Sequence, residues 1–312
     1  AGWCDTTLEG NSMAARFSSL IDTDTGQARE GAITMPDALT VVLTLSAPDI
    51  TLIATMSDYP AAITHASYEG GNPFDHGIGT GPFRPVSFEA NVRAVLERNT
   101  DHTWWGTEVY GGPYLDRVEF VDFGTDPATW MAGAEAEEFD LTYETTGDFV
   151  ELFTAIGWTG TAAVTGATVV CRPNQAAEIA GMVPYADANV RRALAMAVDN
   201  SVLLELGYND QGTVAENHHV CPIHPEYAEI DPPKVDPAAA KEMIDAAGMG
   251  DFNHVFITPD EEWLASTGAA LTAQLRDAGI SVAHRIQPGA TFWGDWTKHA
   301  FSATSWNHRP LG

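Results

Sequence analysis

The sequence predicts an α/β fold, and three observations carry that prediction. Runs rich in β-branched residues alternate with capped or amphipathic segments along the chain. A length of 312 residues is enough for about two domains with real cores. Hydrophobic residues make up 45% and aromatics 10%, the balance of a folded chain despite its charge. That charge is one-sided: 15 Lys and Arg stand against 43 Asp and Glu, for a net −28. Such a chain repels phosphate backbones and anionic headgroups, and its nearest approach to a basic patch is Arg191-Arg192, so nucleic acid is excluded as a partner.

The elements follow in order. A helix is expected over Leu8 to Leu20 and a strand over Leu39 to Leu45, stopped by Pro48 and Asp49. The same two residues interrupt Thr40 to Met56, the stretch closest to the ~18 apolar residues of a membrane helix. Turn residues crowd Glu69 to Gly77, and Gly79-Thr-Gly-Pro82 reads as a tight turn with a positive-φ glycine. β-like runs cover Phe88 to Glu97 and Leu115 to Phe123, with Trp104 and Trp105 lying between them. Asp126-Pro127 caps a helix over Ala128 to Glu138, followed by a strand at Asp140 to Tyr143, a helix over Phe149 to Ala155 and a long β-like run from Ala162 to Cys171.

Asp187 opens an amphipathic helix over Ala188 to Leu206, with Val190, Leu194, Val198 and Leu203 at helical spacing and Gly207 as its stop. After an irregular Asn217 to Pro233 segment, Asp236-Pro237 and Gly248 punctuate another helix. Strands at Val255 to Ile257, Ile280 to Ile286 and Phe301 to Trp306 flank a helix over Trp263 to Ala278. Trp293 and Trp296, three apart on a predicted helix, are expected to be mainly core. The three cysteines, Cys4, Cys171 and Cys221, allow at most one disulfide. The chain opens at Ala1 without Met or leader and stops at Gly312 just after a strand, so we expect an internal piece of a longer protein.

Four segments in fixed order carry a resemblance: Gly79-Thr-Gly-Pro-Phe83 leading to Val95-Leu-Glu-Arg-Asn99, then Asp187 to Asp199, then Asp236 to Gly248, then Gln274 to Val282 with Ala290-Thr-Phe-Trp293. Together they resemble the extracytoplasmic solute-binding proteins of ABC transporters, in the peptide and nickel-binding family of dipeptide- and oligopeptide-binding proteins. The resemblance implies a two-lobed periplasmic binding protein-like architecture with a small accessory lobe, truncated at both ends. By that comparison residues 1–77 are the remainder of the accessory lobe, 78–170 part of the first main lobe, where Trp104 and Trp105 serve lobe packing, and 171–312 part of the second. It also implies that a short peptide or related nitrogenous solute is enclosed between the lobes by hinge closure and delivered to a membrane permease, outside the cytoplasm, with no cofactor and no catalysis.

Where family members place a Trp followed by an Asp at the ligand's amino group, this chain reads Trp306-Asn307-His308-Arg309. The stacking face is kept and the acid is not, so Arg309 favours an anion, or else points to solvent. Arg172 and Asn174 lie where the family crosses between lobes, Arg172 offering a guanidinium fork or an ordinary ion pair. Tyr143 and Glu144 end a predicted strand, where α/β sheets hold ligands, although Glu144 is one acid among 43. His218, His219, Cys221 and His224 form a cluster. They read as loop residues, as cleft contacts from His218 and His219, or as a nickel or zinc site built from His219, Cys221 and His224. A lobe without ligand, serving as an interaction domain, is a further alternative. Gly-x-Ser-x-Gly, His-Glu-x-x-His and glycine-rich phosphate-loop motifs do not occur.

Overall fold

A computed structural model of the chain describes residues 2–8, 11–218, 220–231 and 234–308. It divides between Asp122 and Phe123 into two units, each with its own sheets.

The first unit begins with a short helix α1 (Met13–Arg16) and the hairpin β1 (Ile21–Asp22) and β2 (Gln27–Ala28). The helix expected over Leu8 to Leu20 is cut to this single turn and a following 3-10 turn. Asn11 is the cause: its amide donates to the carbonyls of Gly2 and Asp5, and its Oδ1 accepts the N–H of Met13, so helix begins only beyond it. Cys4, Met13, Phe17, Leu20, Ala32 and Ala61 form a small core. A second hairpin, β3 (Ile33–Asp37) with β4 (Thr40–Leu43), precedes α2 (Leu52–Ser57).

Strands β5 (Phe83–Glu89) and β6 (Arg93–Arg98), the helical turn α3 (Thr107–Tyr110) and β7 (Arg117–Val121) complete the first unit. The strands form one antiparallel sheet in the order β5-β6-β7. The single run expected over Phe88 to Glu97 is thus two strands, because Asn91 takes a left-handed φ of 58° and reverses the chain. Neither Gly79 nor Gly81 is among the positive-φ glycines, a correction to the turn expected there; Gly70 and Gly71 are. Trp105 does not pack either: it is 66% exposed and meets only the rings of Trp104 and Tyr110 among the described aromatics.

The second unit opens with α4 (Pro127–Glu135), where Asp126 accepts the Ala128 N–H at 2.9 Å and Pro127 fills the first turn, and continues with α5 (Phe149–Ala155). Asp140 to Tyr143 is not a strand. Phe139 is held edge-on between Phe123 and Trp158, and the segment beyond it has no pairing partner among the described residues. Strand β8 (Thr168–Pro173) uses only the end of the β-like run from Ala162, since its later partner stops opposite Thr168.

The long helix expected from Ala188 is two helices, α6 (Ala188–Met196) and α7 (Asn200–Tyr208). Asp199 breaks it by capping α7, accepting the N–H of Ser201 at 2.9 Å. Gly207 lies inside α7, and left-handed Asn209 ends it. Then come α8 (Pro237–Ala246), β9 (His254–Pro259), α9 (Glu262–Asp277), β10 (Val282–Gln287), α10 (Gly289–Asp295) and β11 (Phe301–Trp306). The sheet order is β10-β9-β11-β8, with β9 parallel to β10 and to β11, and β8 antiparallel at the edge. The β9-α9-β10 unit is the parallel crossover that gives an α/β layer.

Candidate functional site

Side chains alternate across a strand, and this separates two faces of the β8–β11 ladder. Val169, Cys171, Phe301 and Ala303 point into the core, packed with Tyr185, Val190, Phe256 and Leu275. Arg172 pairs across with Ser302 and Trp306 with Thr168, on the opposite face. A groove of about 650 Å³ opens there, lined by Arg172, Asn174, Arg191, Trp296, His299 and Trp306 among others. Helix α10 buries Phe292 completely and so carries Trp296, just past its end, to the groove wall.

The guanidinium carbon of Arg172 lies 4.3 Å from the centre of the Trp296 ring and 5.9 Å from that of Trp306. These two indoles are 6.2 Å apart. Burial lowers the pKa of Arg172 below that of an ordinary arginine, Cys171 working slightly the other way. Its Nη2 is buried without a hydrogen-bond partner among the described residues, and so is Nε2 of His299. Arg191 is anchored, donating from Nη1 to the carbonyls of Tyr185 at 2.7 Å and Ala186 at 2.9 Å. Asn174 donates its N–H to Ala300 and accepts that of Ala176 on its Oδ1, fixing the strand end while its amide nitrogen stays available. Among the described residues no aspartate or glutamate lines the groove.

The other predicted residues lie elsewhere in this unit. Asn307 is exposed, and Arg309 falls outside the described residues. His308 accepts the Gly166 N–H on Nδ1 at 2.9 Å and stacks on His224, ring centres 5.8 Å apart and nearly parallel at 4°. A Cβ on Gly166 would lie 2.8 Å from His308 Nδ1 and 3.0 Å from His224 Nε2, so a side chain there would push the His308 ring aside. Buried His224 accepts the Cys221 N–H on Nδ1, 3.3 Å from the same residue's sulfur. His218 turns instead to Glu216, 2.9 Å away, whose carboxylate also accepts the Tyr227 hydroxyl. His219 lies outside the described residues. Among the described residues no three His, Cys, Asp or Glu side chains gather where they could hold a metal ion.

Tyr143 is 96% exposed. Glu144 accepts a 3.2 Å hydrogen bond from Tyr208, whose phenol is pushed up to about 12 by burial first and by Glu144 second. Tyr208 stands edge-on to Trp263, 5.4 Å away, and Trp263 helps line a smaller cavity of about 60 Å³ with Trp130, Phe149 and Glu261. Burial, then the nearby Asp260 and Glu144, raises the carboxyl pKa of Glu261.

Of the predicted residues, the structure therefore gathers Arg172, Asn174 and Trp306. It adds Trp296, His299 and Arg191, which sequence reasoning did not assign to a site. Trp293 and Trp296 are not core: Trp293 is 40% exposed, and Phe292 is the packed aromatic of that turn. The 292, 293, 296 spacing leaves helical phase open, and only the buried side of α10 decides it. Chemically the groove offers two aromatic faces and several hydrogen-bond donors around the guanidinium groups of Arg172 and Arg191, neither of which holds a carboxylate among the described residues, an arrangement for holding a ligand.

The family model for bacterial extracellular solute-binding proteins, family 5 Middle, matches residues 8–310. No curated protein matches. Among solved structures, the PBP AgaA from A. tumefaciens R10 in complex with agropinic acid superimposes with a TM-score of 0.76 at 20% identity, over 97% of this chain and 59% of that one. The murein tripeptide binding protein MppA of Escherichia coli gives 0.71 at 20%, over 89% and 56%. NikZ from Campylobacter jejuni in complex with Ni(L-His) gives 0.70 at 19%, over 90% and 58%. The chain spans less than three fifths of the length of each, and at these identities the likeness shows the fold: the α/β architecture of the two-lobed periplasmic binding proteins.

Proposed function

Because the chain belongs to the bacterial extracellular solute-binding proteins of family 5, we propose that it is a solute-capturing part of an ABC importer, acting outside the cytoplasm and passing its ligand to a membrane permease. The groove on the β8–β11 ladder, walled by Trp296 and Trp306 with Arg172 between them, is the observation that supports capture. Its volume of about 650 Å³ falls in the range of small-molecule sites. A short peptide or related small nitrogenous compound is the solute class we favour. The similar structures named for a murein tripeptide and for agropinic acid are consistent with it. The work done is binding, with no covalent step. Among the described residues no helix is long and apolar enough to cross a membrane, which fits a protein that relies on a separate permease.

A thermal-shift screen against short peptides, amino-acid conjugates, sugars and metal chelates tests this reading. A ligand that binds only the folded state raises the melting temperature, by an amount that grows with its concentration. One class of solute should do so, and a shift that Trp306→Ala removes would tie the binding to the groove. Silence across the whole panel would end the capture reading.

A further inference from the structure

The positive charges of this chain are outnumbered almost three to one, 15 against 43, yet Arg172 differs from the described arginines that hold carboxylates. Arg16, Arg84, Arg93, Arg98 and Arg117 each hold at least one carboxylate. Arg172 holds none among the described residues, although it is half-buried and one of its nitrogens is fully shielded without an acceptor. The indoles of Trp296 and Trp306 stabilise a cation through their faces but supply no hydrogen-bond acceptor to its N–H groups. A desolvated, unpaired guanidinium is unfavourable, and unfavourable groups persist where something else compensates them.

A second orphan on the same groove points the same way: Nε2 of His299 is also buried without a partner among the described residues. Arg191 adds another positive charge, the Asn174 amide a donor, and among the described residues no acid lines the walls. We propose that the groove selects solutes bearing an oxyanion, which pairs with Arg172 while the apolar part of the solute lies against Trp306. This inference rests on the capture reading and names the solute class of that same site. The shared chemistry is a planar or tetrahedral oxyanion, so a carboxylate and a phosphate ester are both carried into the test.

Calorimetric titration of the protein with four small phenyl probes decides it: benzoate, phenyl phosphate, neutral benzamide and cationic benzylamine. Benzoate or phenyl phosphate should bind at least tenfold more tightly than benzamide, the factor expected of one charge-assisted hydrogen bond, and the tighter of the two identifies the oxyanion. Arg172→Met should reduce that anion to the level of benzamide and leave benzamide unchanged. Arg172→Lys should recover part of the loss, and Arg285→Met, away from the groove, should cause none. Should Arg172→Met fail to fold, the comparison of probes on the unaltered protein still decides. Benzamide or benzylamine binding as well as the anions overturns the inference. Silence from all four probes overturns it too, whereas the capture reading falls only if the wider solute screen is silent as well.

Discussion

The hydroxyl of Tyr185 and Nδ1 of His254 share a 3.0 Å hydrogen bond inside the core of the second unit, and neither residue has any exposed surface. Burial holds the His254 pKa down at about 4, against 6.5 for a free imidazole. The unfolded chain therefore takes up the proton first as pH falls. Stability from this residue is complete above about 6.5 and drains away toward 4, by about 3 kcal/mol in all. His284, also lowered by burial, adds in the same direction, while Glu261, raised by burial, opposes it. Urea unfolding at pH 7, 5.5 and 4 should show this loss, and His254→Leu should flatten it. A slope unchanged in that variant would mean other groups carry the acid sensitivity.

Asp199 holds the junction of α6 and α7 with its side chain and its backbone. Its carboxylate accepts the N–H and hydroxyl of Ser201, at 2.9 and 2.6 Å, while its own N–H donates to Gln274 on α9. Asp199→Ala should cost about 1 kcal/mol, the usual loss of a helix cap, and Asp199→Asn should recover most of it. Equal losses in both variants, measured by urea midpoint, would show that the carboxylate's acceptor role is not what matters.

The same residue shows where the sequence was legible and where it was not. Spacing of Val190, Leu194, Val198 and Leu203 was consistent with helix, and helix is what forms on both sides. The break comes from a cap that an uninterrupted apolar pattern hides, and from Gln274, which is 75 residues away. Helix α8 and its cap at Asp236 lay within reach of local chemistry, as did α4 with Asp126. The strand expected at Asp140 to Tyr143 failed because strand formation needs a partner, and pairing is a tertiary fact.

Gly207 makes a prediction that helix propensity alone would reverse. It sits inside α7, so alanine there would ordinarily gain about 1 kcal/mol. The position faces α9, however, and a Cβ would run into the Thr267 hydroxyl and lie 2.9 Å from that residue's Cα. Backbone cannot yield as a flexible side-chain end can. Gly207→Ala should therefore destabilise the second unit by about 1 to 3 kcal/mol. A neutral or stabilising result in urea unfolding would show that the two helices have room to separate.

For the site, the sequence supplied Arg172, Asn174 and Trp306 but could not say that they meet. Their grouping depends on the β8–β11 register, which sets Arg172 opposite Ser302 and puts both on the face away from the core. Trp296 and His299 were hidden by another ambiguity, the phase of a short helix with aromatics on several sides. Glu144 belonged to a different set of contacts, with Tyr208, and nothing local announces that pairing.

The thiols give a readout that follows each unit by itself. All three cysteines are free, Cys4 buried in the first unit and Cys171 turned into the core of the second. Burial raises the pKa of Cys4 and pushes Cys171 up to about 12, which leaves roughly one molecule in ten thousand as thiolate at pH 8. Cys221 is half-buried in an irregular segment, its sulfur beside His224. Iodoacetamide at pH 8 should therefore modify Cys221 first, with the other two reacting only as their surroundings open. Cys221→Ser should remove the fast phase and leave the slow ones. In rising urea, labelling of Cys4 reports opening of the first unit and labelling of Cys171 that of the second, since the core residues packed with each thiol belong to its own unit. A Cys171 that reacts as fast as Cys221 in the absence of urea would contradict its place in the core, and with it the strand register that turns Arg172 outward.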